Sequence, residues 1–186
     1  IMWLIAGPCV IEDDKMPFIV AEELVKIAKE LDLNLIFKSS YLKANRSKVD
    51  SFRGIPRINA LEILKGIHKT YQLPVITDVH ESWECEEVAQ YVDYLQIPAF
   101  LCRQTELLIS AGKTGKPINI KKGQFMSPES MQFAIDKVKS TGNNNIFLTE
   151  RGTMFGYYNL VVDMTAIPRM KSFGYPILID ATHSVQ

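Results

Sequence analysis

The chain has 186 residues, 47% of them hydrophobic, and 21 basic side chains balance 21 acidic ones. This length and composition predict one soluble globular domain over residues 1–186 and exclude intrinsic disorder. The balanced charge gives no global field that would favour nucleic acid or an anionic membrane surface, so any anion site must be local. Three scattered cysteines do not form a disulfide scaffold, which indicates a reducing, cytoplasmic setting.

Seven short runs rich in Ile, Val, Leu and Phe predict β-strands, and segments with apolar residues three and four apart predict helices between them. The strands are predicted at 2–7, 34–39, 74–79, 93–98, 117–122, 145–150 and 176–181, with helices at 18–31, 57–71 and 127–140 among the connections. The last of these helices opens with a capping sequence, Ser127, Pro128 and Glu129. The first apolar run stops at Gly7, too early for a signal segment or a membrane span.

Continuous apolar strands followed by helices fit two folds, a doubly wound open sheet and a (β/α)8 TIM barrel. A barrel gathers its site from the ends of all strands, whereas an open sheet concentrates it at one switch point, so the barrel is favoured. Seven strands do not close an eight-stranded barrel. We therefore expect a C-terminally incomplete barrel that lacks the last strand and its flanking helices. The polar residues at or just beyond the carboxyl ends of the predicted strands are Cys9, Lys38, Asp78, His80, Gln96, Lys121, Arg151 and His183.

Several of these residues are cations that interrupt or end an apolar strand, where an unpaired charge is costly. Phosphates and carboxylates are the natural partners, so the sequence predicts a substrate, or two, with several negative charges. The stretch GKTGK (112–116) resembles the end of a P-loop, but Leu107 occupies the position of its first glycine, and a helix-to-strand turn is predicted instead. The candidate cations are Lys38, Lys43, Arg46, Arg103, Lys121 and Arg151.

Cys9 and His183 follow the first and last predicted strands, which a closed barrel would bring together. A thiolate and an imidazole, completed by carboxylates, suit a divalent transition metal such as Fe, Zn or Mn better than Mg. Asp78 is a local candidate for one carboxylate. Cys85 and Cys102 are predicted to be core residues.

Seven motifs in order along the chain carry a resemblance: AGPCVIE (6–12), KANRS (43–47), TDVHE (77–81), QIPAFLCRQT (96–105), NIKKGQF (119–125), LTERGTMFGYYNLVVDM (148–164) and DATHSVQ (180–186). Together they are similar to the 3-deoxy-D-manno-octulosonate 8-phosphate synthases of lipopolysaccharide biosynthesis. That family condenses phosphoenolpyruvate with D-arabinose 5-phosphate and water on a TIM barrel. Leu42 and Lys48 depart from it, since Asp and Ser or Thr are usual at these positions.

The resemblance implies roles for the candidate residues. Phosphoenolpyruvate would be held by Lys38, Lys43, Lys121 and Arg151, with Gln96 nearby. Arabinose 5-phosphate would be bound by Asn45, Arg46 and Ser47, and by Arg103 of a neighbouring subunit in a homotetramer. The catalytic residues would be Lys38, Lys43, Asp78, Lys121 and His183.

Cys9 implies the metal-dependent class of the family, with Cys9 and His183 as two ligands and a Glu and an Asp from a later segment as the others. Two alternatives stay open. One is the related 3-deoxy-D-arabino-heptulosonate 7-phosphate synthase, which typically has a KPRTS-type motif instead of KANRS. The other is a truncated, non-catalytic paralogue that binds phosphate.

Overall fold

Parallel β-strands alternate with helices along the chain, of which the computed structural model describes residues 2–157 and 159–185. The described strands are β1 (Met2–Ala6), β2 (Leu33–Lys38), β3 (Val75–Asp78), β4 (Tyr94–Ile97), β5 (Ile118–Lys121), β6 (Ile146–Glu150), β7 (Thr153–Phe155), β8 (Asn159–Val161) and β9 (Ile177–Ile179). The first six and β9 are the seven predicted strands, and the α/β class is confirmed. β7 and β8 form an antiparallel hairpin that the sequence analysis did not predict.

The described helices are α1 (Met16–Glu30), α2 (Arg57–Tyr71), α3 (Cys85–Val88), α4 (Thr105–Lys113), α5 (Met131–Lys139) and α6 (Ala166–Lys171). The prediction for α2 is confirmed at both ends, and that for α1 is within two residues. As predicted, GKTGK (112–116) ends a helix and turns towards a strand, with Gly115 in the left-handed region at φ +71°. No helix among the described residues combines the length and the apolarity that crossing a membrane requires.

The predicted start of the third helix at Ser127 is wrong, because α5 begins at Met131. The intervening residues form a turn in which Ser130 N donates to Ser127 O at 3.2 Å, a hydrogen bond between residues three apart. Ser127 Oγ also accepts from Ser130 N at 3.3 Å. The capping residue therefore acts as expected, but on a tighter turn that precedes the α-helix.

The chain divides into two compact units. The first contains Ile1–Asp78 and Glu87–Tyr94, and the second contains Val79–Glu86 and Leu95–Gln186. In the first unit, β1 pairs in parallel with β2 and β2 with β3, and α1 packs against β2 and α2. Its core includes Phe37, Leu64 and Ile76, none of which is exposed to solvent.

In the second unit, β5 lies between β4 and β6, and β9 pairs with β6, all in parallel. The β7–β8 hairpin lies between β6 and β9 in the chain. Strand order follows chain order within each unit, without the reversal that defines the switch point of a doubly wound sheet. This order is compatible with a TIM-barrel-like fold, whereas the complete barrel and the single domain over residues 1–186 stay predictions.

Candidate functional site

One face of the parallel sheet in the second unit carries four buried polar side chains. The register pairs Gln96 with Asn119 and Lys121 with Thr149, and residues paired across neighbouring strands share a face. Because side chains alternate along a strand, Asn119 and Lys121 share that face as well. None of the four is more than 7% exposed. We call Gln96, Asn119, Lys121 and Thr149 the polar face.

Three members of the polar face are joined by hydrogen bonds across three strands. Thr149 Oγ1 donates to Asn119 Oδ1 at 2.7 Å, and Asn119 Nδ2 donates to Gln96 Oε1 at 3.0 Å. We call this chain the amide ladder. It satisfies both ends of the buried Asn119 amide, as buried polar groups require. A binding role was predicted for Gln96 but not for Asn119 or Thr149.

Lys121 completes the polar face and contacts the carboxylate of Asp180, which follows β9. The same carboxylate accepts from His183, through Nδ1 at 2.7 Å and through the backbone N at 3.0 Å. Burial alone would raise the pKa of the Asp180 carboxyl, but the bond from His183 and the charge of Lys121 outweigh it and hold the pKa far below its usual range. Asp180 therefore stays ionised and orients both neighbours.

Arg151 follows β6 directly and is only 9% exposed. Its guanidinium has no hydrogen-bond or ion-pair partner in the described part of the chain, although its backbone N donates to Glu150 Oε1 at 3.0 Å. A largely buried cation without a counter-ion is costly, because burial removes the water that would solvate its charge. An anion bound to this guanidinium would offset that cost.

Lys122 lies beside Lys121 in sequence but points to the opposite face of the strand end. It is fully buried, and its Nζ lies 3.5 Å from Glu150 Oε1 and donates to Thr153 Oγ1 at 3.0 Å. Glu150 Oε1 also accepts from Gly152 N at 2.7 Å. This pair fixes the carboxyl ends of β5 and β6, from which Lys121 and Arg151 extend.

The candidate residues of the first unit meet where β1 and β2 end. A Cβ at Gly7 would lie 2.0 Å from the carbonyl oxygen of Lys38, so only glycine lets the two strand ends approach this closely. Beyond them, Ser40 N donates to Cys9 O at 3.4 Å. Lys43 Nζ donates to Ser40 Oγ at 3.0 Å. Cys9 and Lys43 thus both contact Ser40, through its backbone and its side chain respectively, and Lys38 lies two residues before Ser40 against Gly7.

The KANRS loop (residues 43–47) leaves this region towards solvent. Lys43 is half-buried, whereas Asn45, Arg46 and Ser47 are exposed. Lys43 N donates to Arg53 O at 2.7 Å, and Arg46 Nε donates to Phe52 O at 3.1 Å. The loop is therefore closed at its base by backbone acceptors, while its predicted ligand-binding side chains have room to reorganise.

The remaining predicted residues are divided between the two units. Asp78 ends β3 in the first unit and is 6% exposed. Arg103 is exposed in the second unit, where its carbonyl accepts from Lys137 Nζ at 2.8 Å. The structure brings Lys121 and His183 together through Asp180, and it groups Cys9, Lys38 and Lys43 around Ser40.

The predicted metal ligands lie in different units, Cys9 in the first and His183 in the second. Among the described residues, no group of three or more His, Cys, Asp or Glu side chains could hold a metal ion. The donors fit a transition metal in kind, because the Cys9 thiol is exposed and the bond to Asp180 leaves His183 Nε2 for a ligand. Cys85 and Cys102 are buried, as predicted, and burial raises the pKa of Cys85 to about 12.

The chain matches one protein-family model and several named proteins over nearly its whole length. The model of the DAHP synthetase I family matches residues 1–186. A protein of Francisella tularensis subsp. holarctica named 2-dehydro-3-deoxyphosphooctonate aldolase is 53% identical over 184 residues, which is 99% of this chain and 67% of that protein. Proteins with the same name from Trichlorobacter lovleyi and Granulibacter bethesdensis are 52% and 53% identical over 183 residues, 98% of this chain and 67% and 65% of theirs. The chain belongs to the DAHP synthetase I family.

Proposed function

We propose that this chain condenses phosphoenolpyruvate with D-arabinose 5-phosphate and water to give 3-deoxy-D-manno-octulosonate 8-phosphate and inorganic phosphate, in the cytoplasmic synthesis of the Kdo sugar of lipopolysaccharide. Relatives named 2-dehydro-3-deoxyphosphooctonate aldolase, at 52% and 53% identity over nearly the whole chain, support the activity. The structural observation that carries it is Arg151, a cation 9% exposed without a partner among the described residues. Such a group is prepared for a phosphate or a carboxylate.

The substrates would be divided between the cation sets already described. Lys38, Lys43, Lys121 and Arg151 would hold phosphoenolpyruvate, with Gln96 beside it. Asn45, Arg46 and Ser47 of the KANRS loop would bind the sugar phosphate. In a homotetramer, the exposed Arg103 would reach the sugar phosphate of a neighbouring subunit.

The reaction would begin when C3 of phosphoenolpyruvate attacks the sugar aldehyde, whose oxygen becomes a hydroxyl by taking a proton. Water then adds at C2 and loses its proton. Finally the C2–O bond to phosphate breaks, the phosphate leaves with the bonding electrons, and the new C2 hydroxyl loses its proton, so that C2 becomes a ketone. The chain's cations would act by aligning the substrates and by stabilising charge that develops on the phosphate and carboxylate.

Lys121 contacts the Asp180 carboxylate, and its ammonium has three N–H donors. The phosphate or carboxylate of phosphoenolpyruvate would accept from the donors that Asp180 does not use. Asp180 would then keep its bond to His183, so the imidazole orientation persists through turnover. Asp78, buried at the end of β3, would be a further catalytic residue.

Cys9 and His183 would be two ligands of a divalent transition metal, Fe, Zn or Mn. When bound, such an ion supplies Lewis-acid polarisation or a template for the reacting groups. Asp180 would hold His183 with Nε2 available, the usual support for a metal-binding imidazole. The test is metal content: Cys9→Asn should bind no metal after dialysis, and a stoichiometric ion in that variant would remove Cys9 as a ligand.

Phosphate release tests the activity. Protein of verified mass, incubated with phosphoenolpyruvate, should release phosphate only when arabinose 5-phosphate is present, before chelation and again after metal is restored. Erythrose 4-phosphate should be a far poorer partner. Faster turnover with erythrose 4-phosphate would instead support the seven-carbon synthase. Saturable phosphoenolpyruvate binding without release under any of these conditions would support a non-catalytic binder.

A further inference from the structure

We propose that Asn119 and Thr149 are positioning residues that turn the Gln96 amide so that its N–H groups, and not its carbonyl, face phosphoenolpyruvate. This inference rests on the proposed function for the identity of the ligand. The polarity of the amide ladder itself does not depend on that function. Neither Asn119 nor Thr149 is needed to explain the fold, because apolar side chains would fill an interior face of a parallel sheet equally well.

The ladder has a direction. Thr149 Oγ1 donates a hydrogen bond to Asn119 Oδ1 at 2.7 Å, and this bond directs the Asn119 NH2 group towards Gln96. Only the carbonyl of Gln96 complements that donor, and Asn119 Nδ2 lies 3.0 Å from Gln96 Oε1. An amide has its acceptor and its donors at opposite positions of one plane, so fixing Gln96 Oε1 also fixes Nε2.

The free end of the ladder is a donor. In the described part of the chain, Gln96 Nε2 has no hydrogen-bond partner, and it is absent from the fully buried side-chain atoms that lack one. Gln96 as a whole is only 5% exposed, so this NH2 group opens into a restricted space and not onto open surface. Asn119 and Thr149 are 2% and 4% exposed, which leaves water little access to disturb the bonds between them.

Two nearby cations make the orientation of the Gln96 amide important for ligand binding. Lys121 shares the polar face with Gln96, and Arg151 follows the same strand as Thr149. A ligand drawn by these cations is anionic, and an anion gains from an N–H but is repelled by a carbonyl oxygen. Hydrogen bonds to charged groups are the stronger kind, so the orientation of one amide can change affinity about tenfold.

The matched pair Thr149→Val and Thr149→Ser tests this role. Valine has the shape of threonine without the hydroxyl, whereas serine retains the hydroxyl. Thr149→Val should raise the KM for phosphoenolpyruvate about threefold to tenfold, with kcat and the KM for arabinose 5-phosphate nearly unchanged. Thr149→Ser should resemble the wild type. A merely structural role would lower stability in Thr149→Val without this split between the two KM values.

Coupling to Gln96 makes the test specific. Gln96→Met removes the amide at similar length and should raise the KM for phosphoenolpyruvate about tenfold. In that background, Thr149→Val should have no further effect on KM, because there is no amide left to orient. Equal effects of Thr149→Val with and without the Gln96 amide would overturn the proposal.

A measurement without substrate separates this inference from the proposed function. In the full ¹⁵N-labelled chain, the Gln96 side-chain NH2 should exchange with solvent much faster than that of Asn119. Protection of Gln96 instead would mean the opposite polarity, with its carbonyl towards the ligand, and would refute the inference even if the enzyme is active. Fast Gln96 exchange in a chain that neither binds nor consumes phosphoenolpyruvate would uphold the ladder's polarity but overturn its assignment to that substrate.

Discussion

The polar face of the second unit is buried and three of its members are joined by hydrogen bonds, whereas Asn45, Arg46 and Ser47 of the KANRS loop in the first unit are exposed. The polar face and Arg151 are at most 9% exposed, and Asp180 holds both Lys121 and His183. In the KANRS loop, Asn45, Arg46 and Ser47 are exposed, and Arg46 Nε donates to the backbone carbonyl of Phe52. One region is preorganised before any ligand arrives, and the other is not.

The difference has an energetic meaning. A preorganised site has already lost side-chain entropy during folding, so it binds with little further cost. The side chains of an exposed loop lose this entropy only on binding. Single substitutions in such a loop therefore change affinity less than substitutions in a preorganised site. In the proposed reaction, phosphoenolpyruvate would meet the prepared region and the sugar phosphate would order the loop. The following predictions test this contrast, from the largest effect to the smallest.

Arg151→Met should show the strongest effect. We expect kcat/KM for phosphoenolpyruvate to fall about a hundredfold or more, since a buried charged contact is lost. Thermal stability should stay equal or rise, because an unpaired buried cation has been removed. Arg169→Met is the matched control, since Arg169 is half-exposed in a surface ion pair with Glu129. A large loss of stability with unchanged phosphoenolpyruvate affinity would show that Arg151 is structural.

Lys122→Met should destabilise the fold by about 3 to 5 kcal/mol, because it leaves the buried Glu150 carboxylate without its cation. The free energy of unfolding in urea measures this. Lys26→Met is the control, since Lys26 forms only exposed pairs on α1 and its removal should change stability little. Equal losses of stability from the two substitutions would contradict the claim that the buried Lys122–Glu150 pair stabilises the strand ends that carry Lys121 and Arg151.

Arg46→Ala should act on the exposed loop alone. We expect the KM for arabinose 5-phosphate to rise about tenfold, with the KM for phosphoenolpyruvate nearly constant, since one charge-assisted contact is lost. Steady-state kinetics with each substrate varied in turn measures both values. If both KM values rise equally, the two regions do not divide the substrates as proposed.

Asp180→Asn should reveal a pH-dependent contribution to stability. The pKa of Asp180 is lowered in the folded state, so its ionised form stabilises the fold above the unfolded pKa of about 4. This contribution is lost as pH falls through the lower folded pKa. In urea unfolding, the free energy of unfolding of the wild type should exceed that of Asp180→Asn by a constant amount above about pH 5. The difference should shrink in stronger acid. A margin independent of pH down to acid unfolding would contradict the ionised bridge.

Thiol labelling should produce the smallest effect. With metal removed, a maleimide should label Cys9 alone in the folded chain, because Cys9 is exposed. Burial raises the pKa of the Cys85 and Cys102 thiols, so both should stay unlabelled until the chain unfolds. Peptide mapping identifies the labelled site, and rapid labelling of Cys85 in the native chain would contradict its burial.

The seven parallel strands were predictable because each is a continuous apolar run, and their ends lie within two residues of the predicted ends. The β7–β8 hairpin was not predicted. The polar face was only partly predictable. The adjacent lysines Lys121 and Lys122 look alike in sequence, and strand alternation is the signal that separates them onto opposite faces. Alternation along NIKKGQF (119–125) places Asn119 on the face of Lys121 and Lys122 on the opposite face. No role was predicted for Asn119 or Lys122 from this pattern.

Other features depend on contacts between distant segments. The bond from Thr149 to Asn119 needs the register of β5 and β6, which no single strand pattern contains. The late start of α5 reflects a tight turn at Ser127, where local capping residues fit two kinds of helical turn equally well. That the Arg151 guanidinium has no partner among the described residues likewise becomes visible only in three dimensions.

The most direct test of the proposed reaction is ³¹P nuclear magnetic resonance of the chain with both substrates. It follows phosphoenolpyruvate, arabinose 5-phosphate, inorganic phosphate and any new phosphomonoester in one sample. The account predicts equal losses of the two substrates, matched by equal gains of phosphate and one new phosphomonoester. Loss of phosphoenolpyruvate without loss of the sugar phosphate, or no change under metal-replete conditions, would contradict it.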